Sequence, residues 1–526
     1  MALLGSGVTS DNVVEVSGGN VKTPYVAGGY AYTGTANSNS VTISGSGDVE
    51  STVYGGYATN EASSNKVILS EGAVTGSLVG GYANEGTANS NSVTGTDSKV
   101  GWEVYGGQGT TGASSNTVEL DNVKVSGKVR GGDTKSGEAS NNKVSLSNGT
   151  TFTGNLYAGY TDNGNATGNE VSLSVVSAPK DVYASYTAKG QANSSKVTGS
   201  DSTVGGDVYG GRGTTGASSN KVDLNNVQVS GTVRGGKTTS GGASDNKVLL
   251  SNKTTFTGDL YAGYTENGNA TGNEISLSGV SAPKDVYASF TKKGQAGGID
   301  DDTRSKVTIT ESSVTGSVYG GYTKSGAANY SSVTIIDSTI RDSTVNEDSI
   351  GSRGSSVYAG YTGSGESSYN QVTVSGSNAF IQGRVYGGYG TLDSSHNIVE
   401  LSEGARVGYN VVGGHSKGDS STNQNVLHNE VTVSSGSRVE SGLYGGVITE
   451  GRGTGTVQYN TVNLNNAFAG YEVVGGGVFL AVPTGIVEEN HVNISAGTVE
   501  GNVYGGAFEY SLAIDPGNSD IRNNTV

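Results

Sequence analysis

Val53-Tyr54-Gly55-Gly56-Tyr57 decides the fold, because the chain keeps returning to it. The phrase recurs as Val104-Tyr105-Gly106-Gly107, Val208-Tyr209-Gly210-Gly211, Val318-Tyr319-Gly320-Gly321-Tyr322, Val385-Tyr386-Gly387-Gly388-Tyr389 and Val503-Tyr504-Gly505-Gly506. Relaxed copies such as Leu156-Tyr157-Ala158-Gly159-Tyr160 fill the gaps. Counted by their first small residue, 18 copies stand at 28, 55, 80, 106, 131, 158, 184, 210, 235, 262, 288, 320, 359, 387, 413, 445, 475 and 505. A fixed period of this size marks a repeat architecture, which overrides the reading of 526 residues as several globular domains.

Outward from the phrase, each repeat carries two apolar segments. One reads Asn-x-Val-x-Leu, as in Asn65-Val67-Leu69, Asn116-Val118-Leu120 and Asn142-Val144-Leu146; the other runs Val-x-Gly-x-Val into the phrase itself, as in Val125-Gly127-Val129. Both alternate with period two, the signature of half-buried strands, and turn formers separate them. No window shows a 3.6-residue period. The expected fold is therefore all-β: a parallel β-helix, or β-solenoid, of about 18 rungs of roughly 25–32 residues, an elongated body in which each rung contacts only its neighbours. Inward Val and Leu should form the core, and the recurrent Gly should keep one side of it thin. Asn65, Asn116, Asn142 and Asn169 are expected to form an amide ladder at a corner. Tyr54, Tyr105, Tyr157, Tyr209, Tyr319 and Tyr386 are expected to line up on the outside and stack from rung to rung, or to offer a flat aromatic face to sugar rings or a protein.

Two regimes divide the chain. Residues 1–296 are regular, and within them 88–191 match 192–295 at an offset of 104, down to the Arg130 and Arg234 that replace the phrase's Tyr. Residues 297–526 continue the repeat with insertions near Gly297–Thr303, Ser338–Ser355, Lys417–Asn425, Thr449–Thr456 and Phe479–Val487. Four of these five lie between the Gly-Gly phrase and the next Asn-x-Val strand, so they should emerge at one corner. The chain also opens a new repeat at Asn523-Asn524-Thr525-Val526 and stops, which reads as a fragment of something longer.

Composition narrows the chemistry. No Cys is present, so disulfides and thiolate chemistry play no part. A net charge of −16 argues against nucleic acid or an anionic membrane as partner, and no apolar run is long enough to insert into a membrane. The acidic groups Asp300-Asp301-Asp302 and Glu347-Asp348 sit in insertions without matched partners at rung spacing. They read as solvated loops before calcium sites or catalytic pairs. His396 and His428 each precede a ladder Asn and should share a corner on adjacent rungs; His415 and His491 complete the four His, and none has metal-ligand spacing. No catalytic, cofactor or metal site is expected. Loop positions nominated for ligand binding are Asp300, Asp301, Asp302, Glu347, Asp348, Thr449, Arg452 and Phe479.

The phrase together with its continuation, Gly112-Ala113 to Asn116 and Val118, or Gly164 through Ala166 and Asn169 to Val171, resembles passenger repeats of large autotransporter adhesins, type V secreted proteins of anaerobic Gram-negative bacteria. The resemblance covers almost the whole chain. It implies a right-handed β-helix displayed outside the cell, anchored through a C-terminal membrane barrel missing here. It also implies a non-enzymatic adhesin or stalk that presents binding surfaces to a cell-surface glycan or protein. A structural surface filament or sheath, self-associating end to end or laterally, is the first alternative. A polysaccharide-active β-helix enzyme is the second.

Overall fold

The computed structural model describes residues 7–342, 354–418, 423–449, 454–479, 484–509 and 520–526. All regular structure in them is strand, every pairing is parallel, and the strands stack in about 18 turns: the protein is a β-solenoid. Two compact units are distinguished, Met1–Gly242 with Asn246–Gly258, and Ala243–Asp245 with Asp259–Val526.

One turn of the first unit shows how the sequence makes the fold. Strand Val104–Gly109 carries the phrase, Thr117–Asp121 follows the ladder Asn, and the two-residue strand Lys124–Val125 leads back to Val129. Each strand pairs in register with its counterpart one turn on, Val104 with Val129, Val118 with Val144 and Leu120 with Leu146. Val104, Val118, Leu120, Val123 and Val125 are all buried, and each contributes about 1.5–3 kcal/mol by leaving water. The second unit repeats the plan, with Val357–Thr362, Val385–Gly390, Val411–Ser416, Leu443–Thr449 and Val473–Phe479 in its tyrosine sheet.

The phrase breaks strict alternation. In Thr52–Ala58, Val53, Gly55, Gly56 and Ala58 are buried while Tyr54 and Tyr57 are not, so two successive residues face inward. A Cβ on Gly56 would fall inside the Asn65 side chain, and one on Gly55 would meet the Gly80 carbonyl. Only glycine lets the sheet sink this far onto the asparagine ladder. The outer surface is dented as a result, and the flanking tyrosines lean into the dent: the Tyr54 and Tyr57 rings meet edge to face at 5.2 Å.

The insertions of the second unit are not simply loops. Gln424–Leu427, Thr454–Gln458, Thr484–Glu488 and Asp520–Arg522 form a further parallel sheet. Val426, Val457 and Val487 from it pack with Ile448 and Val478 of the tyrosine sheet.

Candidate ligand-binding cleft

The site is built from an interruption in two columns of rings. In the second unit Tyr261, Tyr287, Tyr319, Tyr358 and Tyr386 stack with centroids 4.8–5.1 Å apart and planes within 7°. A second column, Tyr264, Phe290, Tyr322, Tyr361 and Tyr389, stacks at 5.0 Å. The columns meet edge to face across the dent, as Tyr386 and Tyr389 do at 5.3 Å. Both faces of a mid-column ring are therefore covered, and Tyr105, Tyr157, Tyr209 and Tyr386 are buried although they point outward. An intact column offers ring edges, since each ring face is covered by its neighbours.

The columns stop after Tyr386 and Tyr389. Register places Val412, Tyr444 and Val474 next in the first, and His415, Val447 and Gly477 next in the second. The missing rings leave a cleft of about 750 Å³. Its walls are Tyr358, Tyr361, Tyr386, Tyr389, Val412, Tyr444, Val447 and Phe479. Its polar groups are Arg384, Asn410, His415, Lys417, Thr449 and Glu472. That volume lies in the range of pockets that take small ligands, and apolar walls with a few placed polar groups are their usual make-up.

His415 is the most constrained of these groups. It is 8% exposed, its ring lies 5.7 Å from Tyr386 and 4.6 Å edge-on to Tyr389. Its Nε2 shares a 2.8 Å hydrogen bond with Thr449 Oγ1, and its backbone N–H donates to Ser394 Oγ at 3.1 Å. Nδ1 is buried with no partner. Burial, reinforced by the charges of Arg384 and Lys417, pushes its pKa down to about 3, so the ring is neutral at ordinary pH. On the far side, Tyr444 Oη donates to Glu472 Oε1 at 2.6 Å, and burial plus that carboxylate raises the phenol's pKa. Arg384 stacks on Tyr409 at 4.5 Å and lies beside the phenols of Tyr409 and Tyr386.

Of the positions nominated from sequence, Thr449 and Phe479 line the cleft. Asp300 instead closes a turn, accepting from the Thr303 N–H at 2.9 Å and the Thr303 hydroxyl at 2.7 Å, while Asp301 pairs with Arg304. Glu347, Asp348 and Arg452 lie outside the described residues. The asparagines are structural: Asn116 Oδ1 accepts from the N–H and Nδ2 of Asn91 at 2.9 and 3.1 Å. Its Nδ2 donates to Ala88 O at 2.9 Å and to Asn142 Oδ1 at 3.0 Å. Asn65, Asn142 and Asn169 are likewise buried in this ladder, although at Ser195 a shorter side chain takes over. Tyr54 and Tyr319 stand in the columns. Among the described residues no cluster of three metal-ligating side chains occurs.

Arg384, Asn410, Val412, His415 and Glu472 were not singled out as site residues from sequence. Their signal was available as departures from the columns once the phrases are aligned, Val412 in a Tyr slot and His415 in another. No family model, curated protein or solved structure matches the chain.

Proposed function

We propose that this chain is a non-enzymatic segment of a bacterial cell-surface adhesin, a β-solenoid that presents a saccharide-binding cleft between Arg384 and Phe479. The observation that carries the reading is the break in the ring columns, which leaves the half-buried Tyr389, Tyr444 and Phe479 lining a cleft beside His415. Rings take the apolar C–H face of a sugar, and the amide, guanidinium and carboxylate groups that line the cleft take its hydroxyls. Placement at the cell surface rests on the sequence resemblance and on the acidic, cysteine-free composition.

The same cleft favours binding over cleavage of a polysaccharide. Glycosidases use a pair of carboxylates, and Glu472 is the one carboxylate among the described lining residues. An eliminating enzyme needs a base poised near the working pH. Tyr444 is displaced upward and His415 downward, so neither is poised.

The test is retention of the chain on a panel of immobilised oligosaccharides and on whole cells. Tyr389→Ala and Phe479→Ala are expected to weaken saccharide retention at least tenfold, about 1.4 kcal/mol. Undiminished retention by both variants would remove the cleft from the function.

A further inference from the structure

Charge is unevenly placed along the cleft. Arg384 precedes Val385, Lys417 follows Ser416 on the next turn, and Glu472 precedes Val473 two turns further on. With turns about 4.8 Å apart, roughly 14 Å separates the arginine level from the carboxylate level. Asn410 occupies the turn after Arg384, at the position equivalent to it, and its Oδ1 accepts from the Gly442 N–H at 3.1 Å.

Arg384 differs from two of the arginines that occupy the columns, Arg130 and Arg234, and is like the third, Arg212, which donates to the Tyr183 hydroxyl at 3.3 Å. Arg130 is paired with Asp133 at 2.5 Å and Arg234 with Asp207 at 3.0 Å. Arg384 lies against the Tyr409 ring beside Tyr386, and no carboxylate among the described residues pairs with it. A half-buried guanidinium with no counter-ion among the described residues is suited to an anionic oxygen pair. His415 lines the same cleft; with Nε2 accepting from the Thr449 hydroxyl the proton of the neutral ring sits on Nδ1, which is buried without a partner.

We propose that the cleft selects an acidic saccharide, its anionic group seated between Arg384 and Lys417 beside His415, its neutral hydroxyls running toward Asn410 and Glu472. This rests on the saccharide reading above. The anion is a carboxylate or a sulfate, both of which present the required oxygen pair. Glu472 sets the polarity, because it repels the same group at the other end.

The experiment measures binding of the full chain to a panel with sialylated, uronic-acid, sulfated and neutral oligosaccharides, at low and high salt. Acidic members should bind at least tenfold tighter than their neutral parents, and the preference should shrink as salt screens it. Arg384→Gln and the exposed Lys417→Gln should each remove most of the preference, and Glu472→Gln should strengthen acidic binding two- to fivefold. Lys417→Gln, at the surface, separates loss of charge from loss of folding. The sialylated and uronic-acid arms against the sulfated arm distinguish carboxylate from sulfate. Equal binding of acidic and neutral members overturns the acidic assignment and leaves the saccharide reading standing. Binding of no member overturns both.

Discussion

Gly107 and Asn116 occupy one space: a Cβ on the glycine would lie within the asparagine amide. The chain shows the alternative solution in its own repeats. Where Asn becomes Ser195, the facing glycine becomes Ser185, and the hydroxyls meet at 2.6 Å. Ser289 and Ser305 do the same at 2.7 Å. Gly107→Ser alone should cost about 1–3 kcal/mol by overpacking. Asn116→Ser alone should cost about 1–3 kcal/mol by stranding its buried partners. The double variant should recover about 0.5–3 kcal/mol of the sum, read as a double-mutant cycle in urea. Strict additivity would show that the two side chains do not share that space. The asparagine column was legible in the sequence because its spacing is fixed. The glycine facing it was not, because regular alternation points only one of two neighbouring residues inward, and the bend that points both inward is a property of the folded sheet.

At the scale of the element, stacked rings recur at a second place. Tyr330, Tyr369, His396, His428 and Tyr459 each precede the ladder position and each hold a left-handed backbone, with φ between 50° and 60°. Their rings stack at 4.7–5.0 Å. Bulky residues avoid this conformation, and the stack offsets its cost. Burial, then the nearby His428 charge, lowers the His396 pKa, and His415 is lowered to about 3. Both folded values lie below the unfolded value near 6.5. Above that pH the folded and unfolded chains are both neutral at these positions and the stability is intact. As pH falls below it the unfolded chain takes up protons first, and stability drops until the folded group titrates. His415→Gln should therefore flatten the fall in urea midpoint between pH 7 and pH 4, relative to the parent chain. Parallel curves would contradict the buried neutral imidazole. The strands of the extra sheet were also partly legible: Thr454-Gly455-Thr456-Val457-Gln458 repeats as Thr484-Gly485-Ile486-Val487-Glu488, and those inward valines are buried. Reading each insertion singly, as a departure from the main period, hid the second period within them.

For the molecule as a whole, the period is what specifies the fold, and it tolerates removal of whole turns. Ala88 and Ala192 hold the same buried position 104 residues apart. Deleting 88–191 should leave a folded chain with a cooperative melt and an unaltered cleft, whereas a deletion five residues longer should aggregate; circular dichroism and light scattering distinguish them. The solenoid was legible because a repeat multiplies every weak signal. The cleft was not, because it is made by what the repeat omits at 412, 447, 474 and 477, and an omission has meaning only once the columns are in register. The omission is also what makes the cleft testable. Val412→Tyr with His415→Tyr extends both columns by one turn, each stacked ring adding about 0.5–1.5 kcal/mol, and fills the Tyr386–Tyr389 end of the cleft with side chains the fold already accommodates elsewhere. The decisive measurement is saccharide binding by this filled variant beside its thermal midpoint: loss of the binding seen in the parent chain, with the midpoint unchanged or raised, is the predicted result, and binding equal to the parent's would contradict it.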